Sequence, residues 1–167
     1  MTVAKWLDHG AAFLARGCGI GFIPVAPGTF GSLPGLLLGA GIHMGMAAHF
    51  GPGAPAVLAT MVCLAMTLAL SLAVITRTEK MTGLHDDQRI VVDEIAGQAI
   101  AVAFVPPAII PYVLGFALFR MLDIIKPSLI GKIDQEVTGP WGTLADDVLA
   151  GCIVAPMIYA LSFWLAT

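Results

Sequence analysis

Three stretches of this chain, residues 17–76, 95–119 and 148–167, contain no Asp, Glu, Lys or Arg. Together they hold 105 of the 167 residues. About 20 apolar residues carry an α-helix across a bilayer, so charge-free runs of this length are the signature of membrane-embedded helices. Only 11% of the chain is charged, against roughly 25% in a soluble domain, which excludes disorder, a collagen-like repeat and a disulfide scaffold. The net charge of −3 and the lack of a basic tract leave no electrostatic footprint for nucleic acid. Cys18, Cys63 and Cys152 all fall in charge-free stretches and read as buried small hydrophobes. No removable leader is expected at the N-terminus.

The expected fold is all-α: a small polytopic membrane protein forming a single domain over residues 1–167. Val3, Trp6, Leu7, Gly10, Phe13 and Leu14 recur at helical spacing with Lys5, Asp8 and His9 between them, which fits an interfacial helix or an amphipathic packing helix. Residues 17–34, GCGIGFIPVAPGTFGSLP, carry too many glycines and prolines for an ordinary helix interior and read as an ordered loop. Residues 33–50 and 54–76 are spanning candidates joined by a Gly51-Pro52-Gly53 turn, and residues 148–166 are the last. Between them, residues 95–119 carry Pro106, Pro107 and Pro111. A break there leaves two arms of about ten residues, too short to cross separately. A re-entrant or proline-broken hairpin is therefore expected, which returns both charged blocks, 77–94 and 120–147, to one side. All Lys and Arg lie outside the Gly51–Gly53 turn, so the positive-inside rule puts the charged segments in the cytoplasm and the C-terminus outside.

The acids cluster where a solvated face would scatter them. In HDDQRIVVDEIAG, Asp86 and Asp93 are seven apart, as are Asp87 and Glu94, a spacing that would put each pair on one helix face if the segment were helical; Asp86 could equally sit in a preceding loop. Asp93-Glu94 and Asp146-Asp147 open apolar runs, where a helix dipole favours carboxylates. With Asp123 they also make a set of hard oxygen ligands that repel one another unless a cation such as Mg²⁺ or Mn²⁺ neutralises them. In FRMLDIIKP, Arg120, Asp123 and Lys126 follow at i, i+3 and i+6, either a local salt-bridge ladder or an Arg fork and a Lys point charge for a phosphate. The APGTFGSLPG segment offers backbone N–H groups and the hydroxyls of Thr29 and Ser32 before an apolar helix, which can cradle a phosphate. It lacks the Lys of a Walker motif. His43 and His49 read as packing residues and His85 as a solvated loop residue or an acid. Anion binders beside clustered carboxylates at a bilayer surface point to a lipid phosphate monoester as substrate.

At these residues a resemblance becomes specific. GFIPVAPGTFGSLPG, D-x6-DE-x2-G (Asp86, Asp93, Glu94, Gly97), FR-x2-D-x2-KP and the DDVLAG segment from Asp146 resemble, in order, the successive signatures of the phosphatidylglycerophosphatase A family. The departures are Ser128-Leu129 after the KP and Pro140 ahead of the second acid doublet. The resemblance implies a Mg²⁺-dependent enzyme of the bacterial inner membrane, with its active site on the cytoplasmic face, that hydrolyses phosphatidylglycerophosphate to phosphatidylglycerol and phosphate. On this reading Asp86, Asp93, Glu94, Asp123, Asp146 and Asp147 supply metal ligands and a general base or nucleophile. Pro27, Gly28, Thr29, Gly31, Ser32, Arg120 and Lys126 hold the phosphate. Two other classes predict different patterns: a cation transporter would carry its acids within the spans, and a non-catalytic scaffold would leave the Arg-Asp-Lys register unexplained.

Overall fold

The computed structural model describes residues 3–85 and 87–165, and every regular element among them is helical. α1 (Val3–Ala15) is followed by a kinked 3₁₀ stretch (Gly17–Phe22), then by α2 (Pro27–Phe50) and α3 (Ala54–Thr82). α4 (Val92–Val102), α5 (Ile109–Ile125), α6 (Ser128–Glu136) and α7 (Pro140–Leu165) complete the chain. α2, α3 and α7 are each long and apolar enough to cross a bilayer. α3 continues past the expected end to Thr82 and α7 begins eight residues early, so Asp146-Asp147 sits in the second turn of a helix and not at its start.

The glycine-rich stretch differs most from expectation. Only residues 23–26 lack helical structure, and α2 begins at Pro27 and runs through Pro34. Proline suits the first helical position, where its missing N–H costs nothing. The glycines of α2 serve close approach: Gly28, Gly31, Gly35 and Gly39 form a stripe facing α4, and a Cβ on Gly35 would lie 2.5 Å from the Ile95 carbonyl. In lipid, where burying apolar surface gains little, small residues let backbones pack closely and so replace the missing hydrophobic drive. A second contact of this kind joins α4 to α7. A Cβ on Gly97 would lie 2.6 Å from the Asp147 carbonyl, and Gly151 meets the Gly97 carbonyl in return.

α4 and α5 are the expected hairpin, turning at residues 103–108 with Pro106 and Pro107. At 1.5 Å per residue the 11 residues of α4 reach about 16 Å, half a hydrocarbon core. A non-helical turn at that depth is tolerated where protein surrounds it, and Ala103 and Val105 are buried. The hairpin packs on α6 and α7 through Val102, Phe119, Ile130, Val154 and Ile158.

Large apolar side chains such as Leu37, Leu58, Met66, Phe163 and Trp164 point outward, as befits helices whose solvent is lipid. Two expectations change for the same reason. α1 buries Ala11 and Ala15 against Val74 and leaves Trp6, Leu7 and Phe13 exposed, so its large residues form an outer, membrane-ready face. Cys18 and Cys152 are exposed and Cys63 half-buried, all as free thiols; they are small apolar groups, but not buried ones.

Candidate active site

Five helix ends converge on one polar cavity of about 250 Å³. Three are N-termini, contributing Pro27 and Gly28 of α2, Asp93 and Glu94 of α4, and Gly142, Thr143, Asp146 and Asp147 of α7. Arg120, Asp123 and Lys126 come from the C-terminal end of α5, and Asp134 from α6. Helix N-termini carry partial positive charge and free N–H groups, so three of them aimed at one cavity favour anions inside it. The hairpin thus brings both charged blocks to one place.

The glycine contacts explain how the acids come so close. Gly97 lies three residues after Glu94, and Gly151 four after Asp147, so the tight α4–α7 approach sits one turn below the carboxylates. One oxygen from each of Asp93, Glu94 and Asp147 lies within 4.8 Å of the others, and the same holds for Asp123, Asp146 and Asp147. Asp93, Asp146 and Asp147 are buried. Asp93 Oδ1 accepts the Glu94 N–H at 3.0 Å, but Glu94 Oε2 and Asp147 Oδ1 are buried with no hydrogen-bond partner. Native proteins seldom leave such oxygens open. Clustered hard carboxylates with open, buried oxygens fit a divalent cation.

Two cations stand beside the acids. Arg120 pairs with Asp123 one turn on, lies 3.9 Å from Glu94 Oε1, and donates to Ser32 Oγ at 3.4 Å. Lys126 departs from the expected i+6 register: it caps α5 in a left-handed conformation (φ 46°, ψ 59°), which swings its ammonium onto Asp134 and, at 2.7 Å, onto Asp146. Burial disfavours its charge, but the hydrogen bonds it donates to Asp134 and Asp146 more than offset this and hold its pKa above the usual lysine range. The expected Arg-Asp-Lys ladder is therefore only half formed.

The remaining candidates divide by position. Pro27 and Gly28 line the cavity, and Glu94 presses against the Gly28 backbone where a Cβ would stand. Ser32 is buried and donates to the Gly28 carbonyl at 2.9 Å. Thr29 donates its N–H to Ala26, and Gly31 packs on Val91, so these two shape the first turns of α2. Asp86 lies outside the described residues. Asp87 stands in the turn before α4 and not on a shared helix face with Glu94, because the helix starts only at Val92. It pairs with Arg89 at 2.8 Å and Arg16 at 3.7 Å. The Arg89 hydrogen bond, working against burial, holds its carboxyl below the ordinary range.

Sequence reasoning missed Asp134 and Thr143. Thr143 donates to Glu79 Oε1 at 2.8 Å, and His85 Nδ1 meets the same oxygen at 3.2 Å. Their only sequence signal is membership in the second charged block. His43 bonds Thr60 Oγ1 at 3.0 Å, a packing role as expected.

Carboxylates, Arg and Lys gathered at the helix termini of an all-helical protein with three membrane-length helices form a site that can hold a cation and an anionic group together. The model of the family described as phosphatidylglycerophosphatase A matches residues 13–162. A Haemophilus influenzae protein named phosphatidylglycerophosphatase A is 34% identical over 91% of this chain and 88% of its own length. An Escherichia coli protein of the same name is 35% identical over 87% and 80%. A Bacteroides thetaiotaomicron protein provisionally named as a phosphatidylinositol-3-phosphatase is 30% identical over 91% and 92%. No solved structure matches the chain. The chain belongs to the phosphatidylglycerophosphatase A family.

Proposed function

We propose that this protein, acting as a single membrane-embedded domain, hydrolyses the terminal phosphate monoester of phosphatidylglycerophosphate, giving phosphatidylglycerol and phosphate. The observation that carries this reading is the pairing of open, buried carboxylate oxygens on Glu94 and Asp147 with Arg120 and Lys126 around one cavity. Family membership supplies the substrate class.

Asp93, Glu94, Asp123, Asp146 and Asp147, with Asp86, are the residues to hold Mg²⁺. A bound ion of this kind neutralises phosphoryl oxygens and lowers the pKa of a water. Arg120 exchanges its carboxylate partners for two phosphoryl oxygens, Lys126 supplies a point charge, and the first turn of α2 from Pro27 to Ser32 offers N–H and hydroxyl donors. A carboxylate of this cluster not engaged by the ion would take a proton from the attacking water. The P–O bond to the glycerol carbon's oxygen then breaks, and the proton taken up by that base passes through water to this oxygen, which leaves as the alcohol. The three N-termini stabilise negative charge as it grows on the phosphoryl group.

The site lies at the end of the molecule that bears the chain's Lys and Arg, which supports a cytoplasmic-face active site in a bacterial inner membrane. Phosphate release from vesicles containing phosphatidylglycerophosphate, phosphatidic acid or phosphatidylinositol 3-phosphate, with Mg²⁺ or with EDTA, tests the reading. Fastest release from phosphatidylglycerophosphate, abolished by EDTA, is expected; undiminished release in EDTA would overturn the metal assignment. Cysteines placed near Asp87 and Glu136 should label from the same side.

A further inference from the structure

We infer that the acid cluster is built for two divalent cations with Asp147 as their shared ligand. This rests on the metal-assisted reading above and deepens it. Asp93, Glu94 and Asp147 form one triad, Asp123, Asp146 and Asp147 the other, and among the described residues only Asp147 belongs to both. It is 4% exposed, and its Oδ1 has no hydrogen-bond partner. A buried charged oxygen left open is costly unless a ligand satisfies it, and this one belongs to the residue that the two triads share. Glu94 Oε2, in the first triad, is open in the same way.

Charge balance favours two ions over one. Around the cavity, Asp93, Glu94, Asp123, Asp134, Asp146 and Asp147 face Arg120 and Lys126, an excess of four negative charges when all are ionised. Asp87 is matched separately by Arg16 and Arg89. One divalent cation leaves half of the excess, and an arriving phosphate monoester adds to it; two cations cancel it.

The arrangement of Arg120 and Lys126 points the same way. They neutralise the second triad through Asp123 Oδ2 and Asp146 Oδ2. The same two side chains cannot neutralise that triad and also grip a phosphate. When they turn to the substrate, Asp123, Asp146 and Asp147 are left as three carboxylates in mutual contact, a set that repels itself unless a second cation sits among them. Two-ion centres with a bridging carboxylate suit phosphoryl transfer because they stabilise both the entering and the leaving oxygen.

Mn²⁺ titration of the full-length protein in detergent micelles, followed by bound-metal analysis and electron paramagnetic resonance, tests this without measuring activity. The expected result is two Mn²⁺ per chain, with a spectrum broadened by coupling between the ions. Asp123→Asn is expected to retain one ion with an uncoupled six-line spectrum. Asp147→Asn is expected to weaken both sites by at least tenfold. A wild-type stoichiometry of one, with an uncoupled spectrum, overturns the paired centre and leaves single-metal hydrolysis standing. No Mn²⁺ binding together with EDTA-resistant phosphate release overturns both. The wild-type stoichiometry decides the question even if a variant fails to fold.

Discussion

Two groups of acids in this molecule are built on opposite principles. Asp8 and Asp87 each have their own arginine: Arg77 at 2.7 Å from Asp8, and Arg89 with Arg16 around Asp87. Asp93, Glu94 and Asp147 stand against one another, and Glu94 and Asp147 keep open oxygens. The first arrangement is complete as it stands and ties loops and helix ends together. The second is electrostatically unfinished and is stable only with a ligand, since like charges in a low-dielectric setting repel strongly. On the proposed function, charge compensation separates structural acids from chemical ones where residue type cannot.

The sharpest way to break that distinction is to replace one acid of the unfinished group. Asp147→Asn keeps the shape and removes the charge common to both triads, and phosphate release should fall by about 10²–10³-fold, the scale on which preorganised electrostatic groups act. Helix content by circular dichroism should hold. A loss under tenfold would mean that Asp147 is no more chemical than Asp87.

Next in size is Gly28→Ala. Its Cβ would occupy the place of the Glu94 carboxylate, the flexible end of a side chain, so the backbone stays and the carboxylate moves. Displacing a catalytic group by about 1 Å can cost roughly 10²-fold; a loss approaching that, with an unchanged melting profile, is expected. Arg120→Lys follows, retaining charge and losing the fork. One charge-assisted hydrogen bond is worth about 1.5–3 kcal/mol, so KM should rise about tenfold with kcat less affected. A kcat loss with KM unchanged would remove Arg120 from substrate binding.

Much of this contrast was legible in the sequence, for physical reasons that differ between elements. Pro106 and Pro107 forced a turn inside an apolar run, and so foretold that Glu94 and Arg120 would meet. Arg120 and Asp123 kept their i, i+3 partnership because α5 is regular up to Ile125. Lys126 escaped because a left-handed cap on a lysine has no sequence marker as glycine would. The glycines at 28 and 31 read as loop and those at 35 and 39 as part of a span, whereas all four serve a close helix contact. Only a neighbour shows which holds, and that neighbour, α4, lies more than fifty residues on. Asp134 joined the cluster through the swing of Lys126, which no local pattern encodes.

The smallest expected effect is on the compensated side. Asp87→Asn removes half of the Asp87–Arg89 pair, a rim contact in which Arg89 is largely solvated, so activity should change by no more than a few-fold. Ion pairs of this exposure contribute little to stability. The pH dependence has a definite sign. Arg89, helped by Arg16, lowers the folded-state pKa of Asp87, so its stabilising contribution is present above the unfolded value of about 3.9 and is lost as pH falls through the lower, folded value. Thermal unfolding in detergent should therefore show wild type slightly more stable than the variant at neutral pH and the two converging in acid, as pH falls through the lowered folded-state value. Convergence on the alkaline side instead would give the contribution to another group. A hundredfold loss of activity in Asp87→Asn would erase the difference between the two kinds of acid, because a carboxylate already neutralised by two arginines would then be as chemically necessary as one with open oxygens.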